Sequence, residues 1–366
     1  MSSFGFWQDR SVFLTGHTGF KGGWLALWLQ SLGANVFGYS LPPSTDPSLF
    51  ESIGLHSLVD STLGDVRDFS YLKSAMTRAA PQVVFHLAAQ PLVRASYEDP
   101  ISTYGSNVMG TLHLLEAVRS IPSVRAVVIV TSDKCYENQE WLWGYRENDR
   151  LGGRDPYSNS KACAELVVQA FRDSFFPTER YAEHKVAVAT ARAGNVIGGG
   201  DWSMDRLLPD AMRAFVCRDA LFIRSPNSVR PWQHVLEPLS GYLKLAQLLV
   251  ECGPRFNGPW NFGPSPEGIA SVKTVVDLAA AAWGQPTKVV TDERSHPHEA
   301  GLLMIDASKS QQLLDWKPAF SLDQAVDMVV AFTRAWQQGE DLRARCLESI
   351  SKFPAVPDIF RPVTVK

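Results

Sequence analysis

Short apolar runs alternate with amphipathic stretches through the first half of the chain. Apolar runs bounded by glycine or polar residues are typical of buried strands, and they lie at 11–15, 36–39, 82–87, 125–130 and 186–190. Between them apolar residues recur at helical spacing, which predicts helices at 24–32, 70–79, 102–120 and 158–175. Repeated strand–helix alternation predicts a parallel sheet with helices on both faces, and such sheets bind ligands at the carboxyl ends of their strands.

The pattern changes near residue 195, where Gly198-Gly199-Gly200 and many prolines interrupt the alternation. Helical spacing returns at 207–215, 239–251, 272–283 and 322–336. We therefore predict an α/β protein: a Rossmann-type doubly wound parallel sheet with a smaller mixed α/β domain. The expected division is a dinucleotide-binding domain at 1–193, a substrate domain at 194–352 with segments that can return to the first, and an extended surface tail at 353–366.

Composition narrows the class of protein. The chain has 366 residues, is 45% hydrophobic and carries a net charge of −3, so no charge excess points to nucleic acid or an anionic membrane as partner. No apolar run reaches the ~20 residues of a membrane span, and Met1–Arg10 has no signal-peptide pattern. Five scattered cysteines form no CxxC pair. These features predict a cytoplasmic enzyme with reduced cysteines.

The clearest motif is a glycine-rich loop between the first strand and the first helix, Thr15-Gly16-His17-Thr18-Gly19-Phe20-Lys21-Gly22. Glycines three residues apart let the backbone approach a pyrophosphate, and the following helix offers free N–H groups to it. Gly16, Thr18, Gly19, Phe20, Lys21 and Gly22 are thus predicted cofactor contacts. A glycine turn without a ligand is the alternative for this motif alone.

A second motif pairs Tyr157 with Lys161, one helical turn apart on the same face. A tyrosine accepts a proton near neutral pH only if its phenolate is stabilised, and a lysine beside it supplies that stabilisation. The YxxxK pattern is common by chance, but Ser132-Asp133-Lys134 directly follows the strand at 125–130. The Ser132 hydroxyl can therefore meet Tyr157 across a bound cofactor, and the three motifs together predict a catalytic site.

Other positions at strand ends complete the predicted site. The expected cofactor contacts are Tyr39, Asp65, Val66, Leu87, Ala88 and Ala89, the last three being small or apolar residues that let a dinucleotide lie close. The expected substrate contacts are Gln90, Arg94, Asn195, Arg206, Arg224, Arg230, Arg294 and His298. An arginine fork suits a diphosphate, although a surface ion pair explains any single arginine equally well.

The run His296-Pro297-His298-Glu299 invites a metal interpretation, which we reject. Neighbouring residues supply no third or fourth ligand at the usual zinc spacing, and hydride chemistry needs no metal.

The motifs resemble the extended short-chain dehydrogenase/reductases, and within them the nucleotide-sugar 4,6-dehydratases. The resemblance covers roughly residues 8–350 and is carried by segments 15–22, 47–50, 86–94, 131–136, 143–148, 155–161, 230–235 and 296–299. The Ser-Asp-Lys triplet and the run Trp143-Gly-Tyr-Arg-Glu-Asn148 are its most specific parts.

The resemblance implies an NAD-dependent reaction on one bound sugar, with CDP-glucose as the substrate. It assigns Tyr157 as the base at the 4-hydroxyl, Lys161 as support for the phenolate, and Ser132 as a hydrogen-bond partner of the 4-oxygen. It further implies that Asp133 protonates the departing 6-hydroxyl and that a base removes the C5 proton. The family usually forms homodimers through two long helices per subunit, here 102–120 and 158–175, and serves deoxysugar biosynthesis of the O-antigen type.

Two positions depart from the related enzymes. In the dTDP-glucose enzymes the triplet is Thr-Asp-Glu, with the glutamate as the C5 base, whereas this chain has Lys134. A lysine acts as a base only when neutral, so its pKa has to fall from ~10.4; a simple ion pair with Asp133 is the alternative. The second strand ends near Ser40 without an acid for the ribose, which leaves NAD and NADP both open on the residues alone.

Two other functions share parts of this pattern. A nucleotide-sugar epimerase or 4-reductase shares the glycine loop, Tyr157 and Lys161 but needs no acid to expel a 6-hydroxyl, so Asp133 and Lys134 argue against it. A non-catalytic NAD(P)-binding regulatory protein commonly lacks the Tyr–Lys pair, which this chain retains.

Overall fold

The computed structural model describes residues 5–285, 288–292 and 300–354. In chain order, the elements up to residue 197 are β1 (Ser11–Thr15), α1 (Phe20–Ser31), β2 (Asn35–Ser40), α2 (Leu49–Ser52), β3 (Asp60–Leu63), α3 (Phe69–Ala79), β4 (Val83–His86), α4 (Val93–Glu98), α5 (Pro100–Tyr104), α6 (Gly110–Val118), β5 (Ala126–Val130), α7 (Pro156–Phe175), α8 (Tyr181–His184), β6 (Ala187–Ala193) and β7 (Asn195–Ile197). The later elements are α9 (Leu207–Cys217), β8 (Leu221–Ile223), β9 (Val229–His234), α10 (Leu236–Cys252), β10 (Gly258–Phe262), β11 (Ile269–Ser271), α11 (Val272–Trp283), β12 (Val289–Thr291), α12 (Ser308–Leu313), α13 (Leu322–Gln337) and α14 (Leu342–Ser351).

Seven parallel strands form the main sheet in the order β3-β2-β1-β4-β5-β6-β10. The strand order reverses between β1 and β4, which opens a crevice at their carboxyl ends. The predicted Rossmann-type doubly wound sheet is therefore confirmed.

Side chains alternate between two hydrophobic layers along the strands. On β5, Ala126, Val128 and Val130 pack on the face that carries α1 and α10. Val127 and Ile129 pack on the opposite face, against α3 and α6. Such two-sided burial explains why these strands read as continuous apolar runs in the sequence.

Part of the second half of the chain returns to the main sheet. The strand β10 pairs in parallel with β6, and α10 packs against β5 and β6. The remaining strands of this half form a three-stranded sheet, β11-β9-β7, and a two-stranded sheet, β12-β8. A separate apolar cluster built from α9, α11 and α13 supports them.

The helix predicted at 102–120 is interrupted. It consists of α5, a π-helical turn at Gly105–Met109, and α6. The side chain of Asn107 in this turn accepts a hydrogen bond from the backbone N–H of Gln90 at 2.8 Å and donates one to Ser160 Oγ at 2.8 Å. A π-turn of this kind often marks a functional region, and here it ties the helix to the loop after β4 and to α7.

The prediction that an extended surface tail begins at residue 353 is wrong for that first residue. Phe353 is only 1% exposed, because its ring packs edge-on against Trp28 and Phe320. Burial of a large aromatic ring is favourable, so residue 353 stays packed on the core although a proline follows it directly. The tail residues from 355 onward lie outside the described residues.

Among the described residues, none of the helices combines the length and apolar character needed to cross a bilayer.

Candidate active site

A cavity of about 1200 Å³ opens at the carboxyl ends of the central strands. It brings together nearly all the described residues that the motifs predict as functional. Those lining it are Gly16, Thr18, Gly19, Phe20, Lys21, Gly22, Asp65, Val66, Leu87, Ala88, Ala89, Gln90, Arg94, Ser132, Asp133, Lys134, Tyr157, Lys161, Asn195, Arg206, Arg224 and Arg230. Arg294, His298 and the rest of the segment 296–299 lie outside the described residues.

The glycine loop is built for close backbone approach. Gly16 has φ +81°, and a Cβ there would lie 2.7 Å from the Ala88 nitrogen. A Cβ on Gly22 would lie 2.0 Å from the Gly16 carbonyl oxygen. The helix α1 therefore starts directly against the loop, with no acidic side chain in its first turn. Its N–H groups and positive dipole end face the cavity, which fits the pyrophosphate of a dinucleotide.

Tyr39 does not line the cavity, in contrast to the expectation. Its side chain is fully buried beneath Gly64, and its hydroxyl donates to the Asp65 carbonyl oxygen at 3.0 Å. Tyr39 thus supports Asp65 from below. The Asp65 carboxylate accepts three hydrogen bonds from Arg67, at 2.6 to 2.8 Å, which lower its pKa against the opposing effect of burial.

The end of β2 is closed by a hydroxyl pair. Thr18 Oγ1 lies 2.8 Å from Ser40 Oγ and donates to the Leu41 carbonyl oxygen at 2.8 Å. This contact joins the glycine loop to the strand end where a ribose would lie.

Ser132 and Asp133 form the polar floor of the cavity next to β5. The Ser132 hydroxyl donates to Asp133 Oδ1 at 3.0 Å. Asp133 Oδ2 is buried and has no hydrogen-bond partner among the described residues. Burial raises the pKa of Asp133, although Lys134, Ser132, Arg230 and Lys21 oppose the rise. A carboxylic acid that stays protonated in such a site can donate a proton to a bound substrate.

Tyr157 and Lys161 lie one turn apart at the start of α7, and both are buried. Burial raises the pKa of Tyr157 to about 12, while a hydrogen bond with Ser132 opposes the rise. Burial lowers the pKa of Lys161 to about 8, against the opposing charge of Glu165, and its Nζ donates to the Val130 carbonyl oxygen at 3.3 Å. Lys161 thus remains mainly cationic at neutral pH, as a group that stabilises a phenolate must be.

The arginines predicted to contact the substrate already form hydrogen bonds with other residues of the protein. Arg94 and Arg224 share Asp205 Oδ1 at 2.9 and 3.4 Å, and Arg206 donates to Asp201 at 2.8 Å. Arg230 donates to the backbone oxygens of Val229 at 2.9 Å and of Ala300.

The two predicted substrate-side amides differ in how they lie. The Gln90 side chain is tied to Leu92 and Thr103 at 2.6 to 3.0 Å, so it shapes the loop after β4. Asn195 lines the cavity from β7.

Two groups of acidic residues escaped the motif analysis. Asp201 and Asp205 balance the arginines of the substrate side, and Glu165 with Arg192 forms a buried ion pair behind the site. The position of Glu165, one helical turn after Lys161 on the sheet-facing side of α7, was the available signal for the second group.

The fold and site define an extended short-chain dehydrogenase/reductase. The family pattern described as GDP-mannose 4,6 dehydratase matches residues 13–180. CDP-glucose 4,6-dehydratase of Salmonella typhimurium is 52% identical over 348 residues, which cover 95% of this chain and 97% of that protein. By this likeness the chain belongs to the nucleotide-sugar 4,6-dehydratase family.

Solved structures agree at the level of the fold. The dTDP-glucose 4,6-dehydratase of Bacillus anthracis in complex with NAD has a TM-score of 0.73 at 21% identity, over 92% of this chain and 100% of that one. The UDP-glucose 4-epimerase of Thermotoga maritima with UDP-glucose has a TM-score of 0.76 at 19% identity, over 89% and 99% of the two chains.

The glycine loop yields a direct test. Gly22→Ala should weaken binding of NAD(H) by about tenfold or more, because the new methyl group cannot coexist with the Gly16 carbonyl oxygen and has to displace the loop. Titration followed by NADH fluorescence measures the affinity.

Gly23→Ala is the matched control, since its methyl group would meet the Leu49 side chain at 3.1 Å and the nearest backbone atom, the His17 carbonyl oxygen, only at 3.8 Å. Equal affinities for the Gly22→Ala protein and the wild type would contradict a cofactor site at this loop.

Proposed function

We propose that the protein dehydrates CDP-glucose to CDP-4-dehydro-6-deoxy-glucose with NAD as a resident cofactor. The observation that carries the proposal is the buried Asp133, hydrogen-bonded to Ser132 in the same cavity as Tyr157 and Lys161. An enzyme that only oxidises or epimerises C4 has no use for a protonated acid at this place. The 52% identity to a CDP-glucose 4,6-dehydratase supports the same reaction.

The residues around the cavity fit a dinucleotide. Gly16 and Gly22 let the loop pack tightly against the end of β4 and against itself, a backbone arrangement typical of pyrophosphate-binding loops, and the small Ala88 and Ala89 line the same cavity as Tyr157. When bound there, NAD would supply a hydride acceptor for C4 and then a hydride donor for C6, so that no net reduction would remain. The NAD-bound relatives of the same fold support this choice of cofactor.

In the first step Tyr157 accepts the proton of the 4-hydroxyl. The pKa of about 12 that burial imposes on Tyr157 shows that the phenolate needs nearby positive charge. Lys161 supplies that charge from one helical turn away, and Arg206 lowers the pKa of Tyr157 from the substrate side. Ser132 donates to the 4-oxygen and holds it in reach of Tyr157.

In the second step Lys134 removes the C5 proton, and the freed electron pair forms the C5–C6 double bond. The C6–O bond breaks while Asp133 gives its proton to the leaving oxygen, which departs as water. After hydride has returned to C6, Lys134 gives a proton back to C5. Lys134 is half-buried and lines the same cavity as Asp133 and Tyr157, which supports this role; a simple ion pair with Asp133 is the alternative.

We assign the two functions to different parts of the chain. Residues 1–193 hold the dinucleotide, and residues 194–352 mainly hold the nucleotide sugar. In the second part Arg206, Arg224 and Arg230 surround the place for the diphosphate, and Arg94 contributes from the first. Arg294 and His298 remain predicted substrate contacts. The product is a 4-keto-6-deoxy sugar nucleotide, the type of precursor used for deoxysugars of the O-antigen kind, and we place its formation in the cytoplasm.

We further propose a homodimer formed through α5–α6 and α7. These helices pack side by side, and their outer faces expose Ile101 (84%), Met109, Leu166 (53%) and Phe175. Beside Ile101, Pro100, Tyr104, Gly105, Val108 and Met109 line a shallow apolar depression. Two copies related by a two-fold axis would bury these side chains against one another.

Purified protein with CDP-glucose should form the 4-keto-6-deoxy product while NADH stays below the enzyme concentration, because each hydride taken from C4 returns to C6. The measurement follows product by mass spectrometry and NADH by absorbance. CDP-glucose should exceed dTDP-, GDP- and UDP-glucose in kcat/KM. Stoichiometric, persistent NADH would indicate a simple dehydrogenase, and release of CDP-galactose would indicate a 4-epimerase.

The second step separates the roles of Asp133 and Lys134. Asp133→Asn should slow product formation by about 100-fold or more through loss of the general acid, yet C5 should still exchange with solvent deuterium. Lys134→Met should abolish that exchange while C4 is still oxidised. NMR of the recovered sugar measures deuterium at C5. Full turnover by Asp133→Asn, or normal exchange in Lys134→Met, would contradict the assigned roles.

The dimer is tested by charge placed on the apolar face. The wild type should elute and scatter light as twice the chain mass, and Leu166→Asp should give monomer at micromolar concentration because the carboxylate would be buried in the interface. Leu313→Asp changes an equally exposed leucine on α12 and should leave the dimer intact. Monomeric wild type would contradict the proposal.

A further inference from the structure

A buried ion pair lies directly behind the catalytic cavity without lining it. Glu165 on α7 and Arg192 on β6 are 2.8 Å apart, and their side chains are only 4% and 2% exposed. Burying both charges is costly unless their hydrogen-bonding groups are well paired. The Glu165–Arg192 pair is therefore energetically costly to bury, although no step of the proposed reaction uses it directly.

Both carboxylate oxygens of Glu165 are satisfied. Oε1 accepts from Thr131 Oγ1 at 2.5 Å and from Arg192 Nε at 2.9 Å. Oε2 accepts from Thr190 Oγ1 at 2.8 Å and from the Arg192 terminal nitrogen at 2.8 Å. Burial would raise the pKa of Glu165, but the charge of Arg192 and the hydrogen bonds from Arg192, Thr131 and Thr190 together outweigh it, so the pKa is lowered and the carboxylate stays ionised.

The contacts of this pair bracket the turn that carries Ser132, Asp133 and Lys134. Thr131, the residue before the turn, donates to Glu165. Tyr136, two residues after Lys134, accepts a hydrogen bond on its hydroxyl from Arg192 at 2.8 Å. The guanidinium of Arg192 also lies 4.9 Å from the centre of the Tyr136 ring. Both ends of the turn are thus held by one ion pair.

The same pair is attached to the helix that carries the other reacting groups. Glu165 follows Lys161 by one turn on α7, and Tyr157 lies one turn earlier still. Arg192 is anchored in β6, which pairs with β5 immediately before the turn. The ion pair therefore spans the gap between the Ser132–Lys134 turn and the Tyr157–Lys161 face.

We propose that Glu165 and Arg192 are positioning residues that set the spacing between the Ser132–Asp133–Lys134 turn and the Tyr157–Lys161 face. The inference rests on the proposed function, because only a reaction that treats C4, C5 and C6 of one bound sugar in succession needs both groups in register. A sugar placed correctly for Tyr157 but shifted from Asp133 would be oxidised at C4 without losing water. Displacements of about 1 Å can cost about 100-fold in rate, so even slight loosening should be measurable.

Direct replacement of Glu165 or Arg192 would leave a buried charge without its partner and threaten folding. The two threonines offer a milder comparison within the same network. Thr131→Val and Thr190→Val each remove one hydroxyl that donates to Glu165, and both positions are buried. Thr131 adjoins the catalytic turn, whereas Thr190 lies within β6, so Thr190→Val is the matched control.

The experiment measures how often oxidation at C4 fails to reach product. With CDP-glucose, Thr131→Val should raise the ratio of accumulated NADH to 4-keto-6-deoxy product by about tenfold, and Thr190→Val should stay within about twofold of the wild type on the same grounds. Hydrogen–deuterium exchange without substrate or added cofactor supplies a second readout. The amides of residues 132–136 should exchange faster in Thr131→Val than in Thr190→Val, while thermal unfolding should show similar loss of stability in both.

Equal NADH ratios and equal exchange rates in the two variants would overturn the positioning role and leave the ion pair a purely structural feature. Failure of the wild type to convert CDP-glucose would instead overturn the proposed function. In that case faster exchange of residues 132–136 in Thr131→Val alone would still support the pair as the anchor of the turn, and equal exchange would refute it.

Discussion

The charge states of the active-site groups depend on the burial of ionisable side chains at the carboxyl ends of β5 and β6. Five ionisable side chains in this region are buried: Asp133, Tyr157, Lys161, Glu165 and Arg192. Burial penalises the charged form of each group, so every charge that persists must be stabilised by a neighbour. The fold brings residues from different strands and helices together to supply these stabilising neighbours.

The balance divides the buried groups into two sets. Glu165 and Arg192 stay charged because they are paired and fully hydrogen-bonded, and they serve as fixed points. Burial raises the pKa values of Asp133 and Tyr157, which favours the neutral form of each side chain. A dehydration initiated by oxidation at C4 requires two such groups: a carboxylic acid that protonates the leaving hydroxyl, and a tyrosine whose phenolate, stabilised by a nearby lysine, accepts the proton of the 4-hydroxyl.

On the substrate side, the charged arginines are stabilised by carboxylates that a bound diphosphate could replace. Arg94 and Arg224 meet on the Asp205 carboxylate, and Arg206 pairs with Asp201. Asp201 is only 5% exposed, so its pair with Arg206 is largely shielded from solvent. Arg94, Arg224 and Asp205 retain partial contact with solvent, so their pairs contribute little to stability. Arginines held in this way are available to a diphosphate without leaving a buried charge uncompensated, whereas the groups behind the catalytic turn are not exchanged.

Local order could be predicted from the chain alone. Strands buried on both faces appear as apolar runs, a glycine loop between strand and helix specifies its own backbone geometry, and residues one turn apart share a helix face. These relations involve neighbours in sequence, so they led to the doubly wound sheet, the loop at Gly16–Gly22 and the pairing of Tyr157 with Lys161. Relations across the fold were decided only by tertiary packing. Examples are the return of β10 to the main sheet, the burial of Tyr39 and Phe353, the π-turn at Asn107 and the Glu165–Arg192 pair, whose members are separated by 27 residues. The physical reason is that the energy of a buried charge or ring depends on which distant groups surround it, and no local pattern records those neighbours.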